Sequence, residues 1–207
     1  MPTPSNSWKT AVLLIVKYHM YEGAISLRTQ SHPRRHLMVR HDQILATAAS
    51  EFRQLGFDVI RAGYEAGGQP YDPDLFVKSH DSLGFYLELK HPDGPNVAID
   101  LDPWLHYRIL RDVLVLAVWS DGRCAVLDIE RDRPTFWGAA ADDCIPVLAA
   151  DQLRELDVPL KLFERGDHKQ TSNKPFVVFR PQHQFNSLRE AIAYIIDIKA
   201  GGSGAQP

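Results

Sequence analysis

The sequence predicts an α/β fold, a mixed central β-sheet of roughly four to five strands flanked by helices. Three observations lead there. Ile44, Leu45, Ala48, Phe52 and Leu55 recur at helical spacing. Short apolar runs follow, separated by Gly-, Pro- and Asp-rich turns of hairpin length. The resulting order, helix, strand, strand, strand, helix, strand, strand, gives a sheet with helices available for both faces.

Taken in order, Gly56 follows the first helical stripe as a C-cap, and Phe57 to Ala62 reads as a strand. The turn region AGYEAGGQPYD leads into a strand from Leu75 to Lys78, and SHDSLG connects this to Phe85 to Lys90. Asp102 is placed to N-cap a helix with Pro103 in its first turn. Val113 to Trp119 and Arg123 to Ile129 form two strands joined at Ser120-Asp121-Gly122. Ala150 to Leu156 reads as a short helix and Pro175 to Arg180 as a strand. Ser187-Leu188-Arg189-Glu190 is a capping box opening a helix to about Ile198.

With 207 residues, 44% hydrophobic and 24% charged, the chain suits one domain with a substantial core. The aliphatic run Ala11 to Val16 is too short to span a bilayer and lacks a signal cleavage site. Cys124 and Cys144 are the only cysteines, so no disulfide framework is expected and the cytoplasm is the default compartment. The net charge of −3 is unevenly spread. Residues 1–41 hold Lys9, Lys17, Arg28, Arg34, Arg35 and Arg40 against Glu22 alone, a local +5 that leaves −8 for the remainder. Such an arm suits contact with a phosphate backbone or a solvated terminus, with a targeting leader ranked below both. The chain therefore divides into an arm (1–41), one domain (42–200) and a Gly/Ser-rich tail (201–207). Met20 or Met38 is a candidate for an alternative start, because the recognisable helix follows Met38.

The segment PDLFVKSHDSLGFYLELK, Pro73 to Lys90, is the richest in chemistry. Strand alternation puts Phe85, Leu87 and Leu89 on one face and Tyr86, Glu88 and Lys90 on the other. A covered strand does not hold a carboxylate and an ammonium together without cause. Asp74, at the mouth of the preceding strand, supplies a second carboxylate. Two carboxylates suit a hard divalent cation, and a lysine beside them suits an attacking water. The backbone carbonyl of Leu89 offers a further oxygen ligand. Asp74 as a turn former, or Glu88 and Lys90 as an ordinary surface pair, is the plainer alternative. The chain carries its own control: the acidic-x-Lys triplet recurs at Asp167-His168-Lys169 and Asp197-Ile198-Lys199. Only the triplet at Glu88 lies in a strand behind a Pro-Asp.

At these residues, from roughly Asp42 to Ile129, the chain resembles the PD-(D/E)xK nuclease superfamily, whose core is the restriction-endonuclease-like fold. The resemblance implies Mg²⁺, with Mn²⁺ as substitute, held by Asp74 and Glu88, and Lys90 orienting or activating the water. Whether Lys90 would accept a proton or act through charge alone stays open. The superfamily often carries another acid on the helix before the sheet. Glu51, on the shoulder of the Ile44/Ala48/Leu55 stripe, is chosen for that role; Asp42 projects away from the stripe and His41 falls within it. The expected activity is hydrolysis of phosphodiester bonds, in DNA by the resemblance, with nucleic acid as partner, no membrane, and a homodimer left open.

The remaining polar residues give weaker signals. His32 and His36 are four apart, but Pro33 intervenes and no third zinc ligand is near. His80 and Asp81 suit a hairpin loop, while His91 follows the motif as a strand-exit residue within reach of a phosphate. Tyr64, Tyr71 and Tyr86 are candidates to line the site. A non-catalytic nucleic-acid-binding or assembly subunit with the same fold is the alternative function. A small-molecule enzyme ranks third, since no Gly-rich phosphate loop, nucleophile elbow or cofactor fingerprint occurs.

Overall fold

In a computed structural model the described residues are 33–63, 67–79, 84–164 and 174–201. The contacts reported below lie within the unit Met38–Pro207. Residues 1–32 of the basic arm, the triplet at Asp167, Tyr64, His80, Asp81 and tail residues 202–207 lie outside the described residues.

The first helix, α1, spans Pro33–Gln54 and therefore runs across residue 41. It buries Leu45, Ala48, Ala49 and Phe52, whereas Leu55 falls beyond its end and is 55% exposed. Gly56 ends it at φ +86°, a conformation costly for any residue with a Cβ. There the Phe57 N–H donates to the Phe52 carbonyl and the Gly56 N–H to that of Arg53.

The mixed α/β layout expected from the sequence is present, with more strands than the sequence signals. One sheet has six strands in the order β1-β2-β3-β5-β6-β10. These are β1 (Asp58–Arg61), β2 (Leu75–Lys78), β3 (Gly84–Lys90), β5 (Val113–Val118), β6 (Cys124–Asp128) and β10 (His183–Phe185). β3 and β5 run parallel, and the other neighbours are antiparallel. The crossover between β3 and β5 carries β4 (Val97–Asp100) and α2 (Leu101–Leu110). A second sheet, in the order β4-β9-β7-β8, adds β7 (Phe136–Ala140), β8 (Leu160–Phe163) and β9 (Phe176–Phe179). Between β7 and β8 lies α3 (Val147–Glu155), and α4 (Leu188–Lys199) closes the described chain.

Helix α2 begins earlier than the sequence signal. Asp100 stands at its N-cap without a side-chain cap bond, and Asp102 falls in the first turn, where a negative charge favours the helix dipole. The α4 cap matches its signal: Ser187 Oγ accepts the Glu190 N–H at 3.3 Å, and the Glu190 carboxylate accepts the Asn186 N–H at 3.0 Å. Cys124 is buried and Cys144 exposed, and neither is in a disulfide.

Strand parity sorts the side chains of the six-stranded sheet into two cores. Leu75, Val77, Phe85, Leu87, Leu89, Leu114 and Leu116 pack against α1 residues such as Phe52 and α4 residues such as Ile192. Val113, Val115, Ala117, Ala125 and Leu127 face the other way, onto Trp104 and Tyr107 of α2, α3 and the second sheet. Because β5 is covered on both faces, all six of its residues, VLVLAV, are buried. Glu88 and Lys90 have the parity that points away from α1 and toward α2.

Candidate functional site

Asp74 lies one register step beyond the last β2–β3 pair, Leu75 with Leu87, which sets it across from Glu88 on the same face. Two backbone bonds fix it there. Its carbonyl accepts the Ala62 N–H at 3.0 Å, and its carboxylate Oδ2 accepts the Leu89 N–H at 2.8 Å. Its other oxygen, Oδ1, lies 3.5 Å from His41 Nε2 on α1.

Glu88 is 7% exposed, the single charged side chain among the described residues found in the buried class. It occupies a strand with β2 on one side and β5 on the other, under α2. Lys90 Nζ lies 2.5 Å from Glu88 Oε1, and its own side chain stays 32% exposed. Tyr107, buried on α2, hydrogen-bonds the Glu88 carboxylate from above. Burial raises the Glu88 pKa, and Asp74 adds to the rise, although Lys90 and Tyr107 counter it. For Lys90, burial works to lower the pKa, but the Glu88 carboxylate outweighs it, with Asp74 and Asp100 contributing, and the net shift is upward. Burial first, and then the Glu88 charge, push the Tyr107 phenol far up, so it stays a hydrogen-bond donor.

Two histidines border the group. The hydrogen bond to Asp74 raises the His41 pKa against the opposing effect of burial. The His41 and His91 rings meet edge to face at 5.5 Å. His91 Nδ1 donates to the Val118 carbonyl at 3.1 Å, which anchors the exit of β3 to the end of β5. Farther along α2, His106 Nε2 lies 3.3 Å from Asp72 Oδ1, tying that helix to the loop before Asp74.

The structure thus brings together Glu88 and Lys90, which strand parity pairs, Asp74 at the mouth of the preceding strand, and the Leu89 backbone. Glu51 is not brought to them. It is ten residues, about 15 Å of helix, beyond His41. Its Oε2 lies 3.5 Å from Arg189 Nε of α4, on the sheet face opposite Glu88. Asp42 pairs with Arg61 of β1 at 3.7 Å. The α1 side chain that reaches Asp74 is His41, which shares the apolar stripe. Tyr107 gave no signal in the sequence, since an aromatic at that spacing reads as core. Tyr71 lies in the loop before Asp74 at φ +71°, and Tyr86 packs on Phe76 with ring centroids 4.9 Å apart. The third triplet serves elsewhere: Lys199 Nζ lies 3.2 Å from Asp112 Oδ1.

As a donor set, two facing carboxylates and a backbone carbonyl fit a hard divalent cation that keeps water and substrate oxygens in its remaining positions. Among the described residues no group of three or more His, Cys, Asp or Glu side chains is placed to hold a metal ion. Nor is any helix among them long and apolar enough to cross a membrane.

No family model and no curated protein matches the chain. Among solved structures, the Holliday junction resolvase Hjc of the archaeal hyperthermophile Archaeoglobus fulgidus is similar over 42% of this chain and 75% of its own. The TM-score is 0.35 and the sequence identity 11%. The chemistry of the group rests on the chain's own side chains.

Proposed function

We propose that this chain is a metal-dependent nuclease that hydrolyses phosphodiester bonds, in DNA before RNA. The observation that carries the reading is the buried Glu88 carboxylate, set across from Asp74 with Lys90 at 2.5 Å. A carboxylate so placed costs free energy unless positive charge compensates it. Asp74, Glu88 and the Leu89 carbonyl would hold Mg²⁺ or Mn²⁺, which would supply Lewis-acid polarisation of the phosphoryl group. The Leu89 N–H fixes the direction of the Asp74 carboxylate, and Tyr107 and Lys90 fix that of Glu88. Lys90, part-exposed and positive, stabilises charge developing on the phosphoryl oxygens. DNA as substrate rests on the superfamily resemblance alone.

A second reading has its own support. Glu88 is already satisfied by Lys90 and Tyr107, so the three also make a closed polar knot suited to a non-catalytic nucleic-acid-binding subunit. One panel separates the two readings: supercoiled plasmid, linear duplex, single-stranded DNA and RNA, each with Mg²⁺, with Mn²⁺ and with excess chelator. Cation-dependent cleavage of at least one substrate is expected. Binding without cleavage under every condition would select the second reading.

A further inference from the structure

On the same face as Asp74 and Glu88, one side-chain row back along the strands, Ile60, Phe76 and Tyr86 stand side by side. Register sets Ile60 across from Phe76 and Phe76 across from Tyr86. Val59, Val77, Leu75 and Leu87 turn into the α1 core, so this row turns the other way. Ile60 is 59% exposed on edge strand β1, and the two aromatics are half-buried. Phe76 belongs to neither core. Its ring lies across Gly84, where an added Cβ would come within 2.6 Å of it, and tilts 49° against the Tyr86 ring. Among the described residues, helix α2 and the second sheet cover β5 and the far side of β3, with Tyr86 packed at their margin, leaving the β1–β2 half of this face with an apolar, aromatic surface.

A row of this kind beside paired carboxylates suits one occupant. Two residues of strand separate the aromatic row from the Asp74–Glu88 row, about 7 Å. A nucleic-acid strand with a phosphate at the carboxylates must continue across the neighbouring surface, and an adjacent base would meet these rings. Bases within a continuous duplex are stacked on each other and cannot do so. We propose that Ile60, Phe76 and Tyr86 form a stacking platform for an unpaired nucleobase next to the bond that is cut. The proposal rests on the nuclease reading above and narrows its substrate class to single strands, flaps, gaps or junctions with an unpaired nucleotide at the site.

The test uses the full chain in Ca²⁺ and two oligonucleotides of one sequence, a single strand and a blunt duplex, each carrying 2-aminopurine. Affinity and 2-aminopurine fluorescence are measured for wild type, Phe76→Leu, Phe76→Trp and Ile60→Ala, with melting curves and solution mass for each. Wild type is expected to favour the single strand and to change its fluorescence. Phe76→Leu, which keeps the bulk and loses the ring, should reduce that preference about tenfold, the order of one lost base–aromatic stack. Phe76→Trp should restore it. An unchanged preference in a folded Phe76→Leu protein would overturn the platform while leaving the nuclease reading in place. So would a dimeric wild type that Ile60→Ala converts to monomer, since the row would then be a subunit contact. Failure of wild type to bind any nucleic acid would overturn both.

Discussion

Glu88 and Lys90 cannot be removed singly without consequences for folding. Lys90→Ala strands a carboxylate that is 7% exposed, so it is expected to cost stability as well as cleavage, on the order of 3 kcal/mol by analogy with broken buried pairs. The 32% exposure of Lys90 works to reduce that figure. The double variant Glu88→Gln/Lys90→Ala removes both charges and should recover most of the melting temperature while staying inactive. Recovery of cleavage together with stability would show that the pair has only a structural role. Tyr107→Phe deletes one donor to the same carboxylate and should lower stability by about 1.5–3 kcal/mol, the usual range for hydrogen bonds to charged groups. A melting temperature equal to wild type would show that the bond is not formed. The cysteines give an independent check on packing. Burial pushes the Cys124 thiol up to about 11, while Cys144 is exposed. An aromatic disulfide reagent at neutral pH should therefore titrate one thiol in the native protein and two after denaturation. Rapid reaction of both would contradict the buried placement of β6.

At the scale of elements, the site was legible where it depends on strand parity and illegible where it depends on what folds onto the strands. Glu88 and Lys90 follow from one short apolar run with a period of two, and Asp74 from the Pro-Asp that opens the run before it. His41 reaches Asp74 because of where α1 crosses the end of the sheet, and Tyr107 reaches Glu88 because α2 covers β3. Neither relation is written in local spacing. Glu51 shows the same limit, because its partner Arg189 comes from a helix more than a hundred residues later. Most of the second sheet was invisible for similar reasons. The strand β8 is only four residues, LKLF, and exposed at three of them, too short a run to mark a buried face. In the first sheet, β10 is three residues long. In β7 a glycine interrupts the apolar run, and its role is tertiary: Gly138 makes room for the ring of Phe176, itself 1% exposed. Gly138→Ala is expected to destabilise the fold by about 1–3 kcal/mol, the cost of overpacking a filled core. A melting temperature equal to that of wild type would show that the ring has room to yield.

For the whole molecule, the charge split is the property that bears on a polyanionic partner. Residues 1–41 carry +5 while the rest carries −8. Removing residues 1–32 deletes Lys9, Lys17, Arg28 and Glu22, a net +2, and leaves α1 entire with Arg34, Arg35 and Arg40. If the arm touches phosphates, the shortened chain should bind DNA more weakly at low salt, with a shallower dependence of log K on log salt. Superimposable salt dependences would exclude a phosphate contact by residues 1–32. The acidic body itself resists a polyanion, so a cation held at the carboxylates would serve binding as well as chemistry.

The central claim, that Asp74 and Glu88 act with a divalent cation in phosphodiester hydrolysis, is tested most directly by the single-turnover cleavage rate of Asp74→Asn. The amide retains an oxygen for the Leu89 N–H and the shape of the side chain, removes the charge, and puts an uncharged NH2 where Oδ1 faces His41. With Mg²⁺ present, and with folding and Ca²⁺-supported DNA binding verified in parallel, the rate should fall at least about a hundredfold below wild type, as expected for loss of a charged metal ligand. A rate equal to that of wild type would contradict the account.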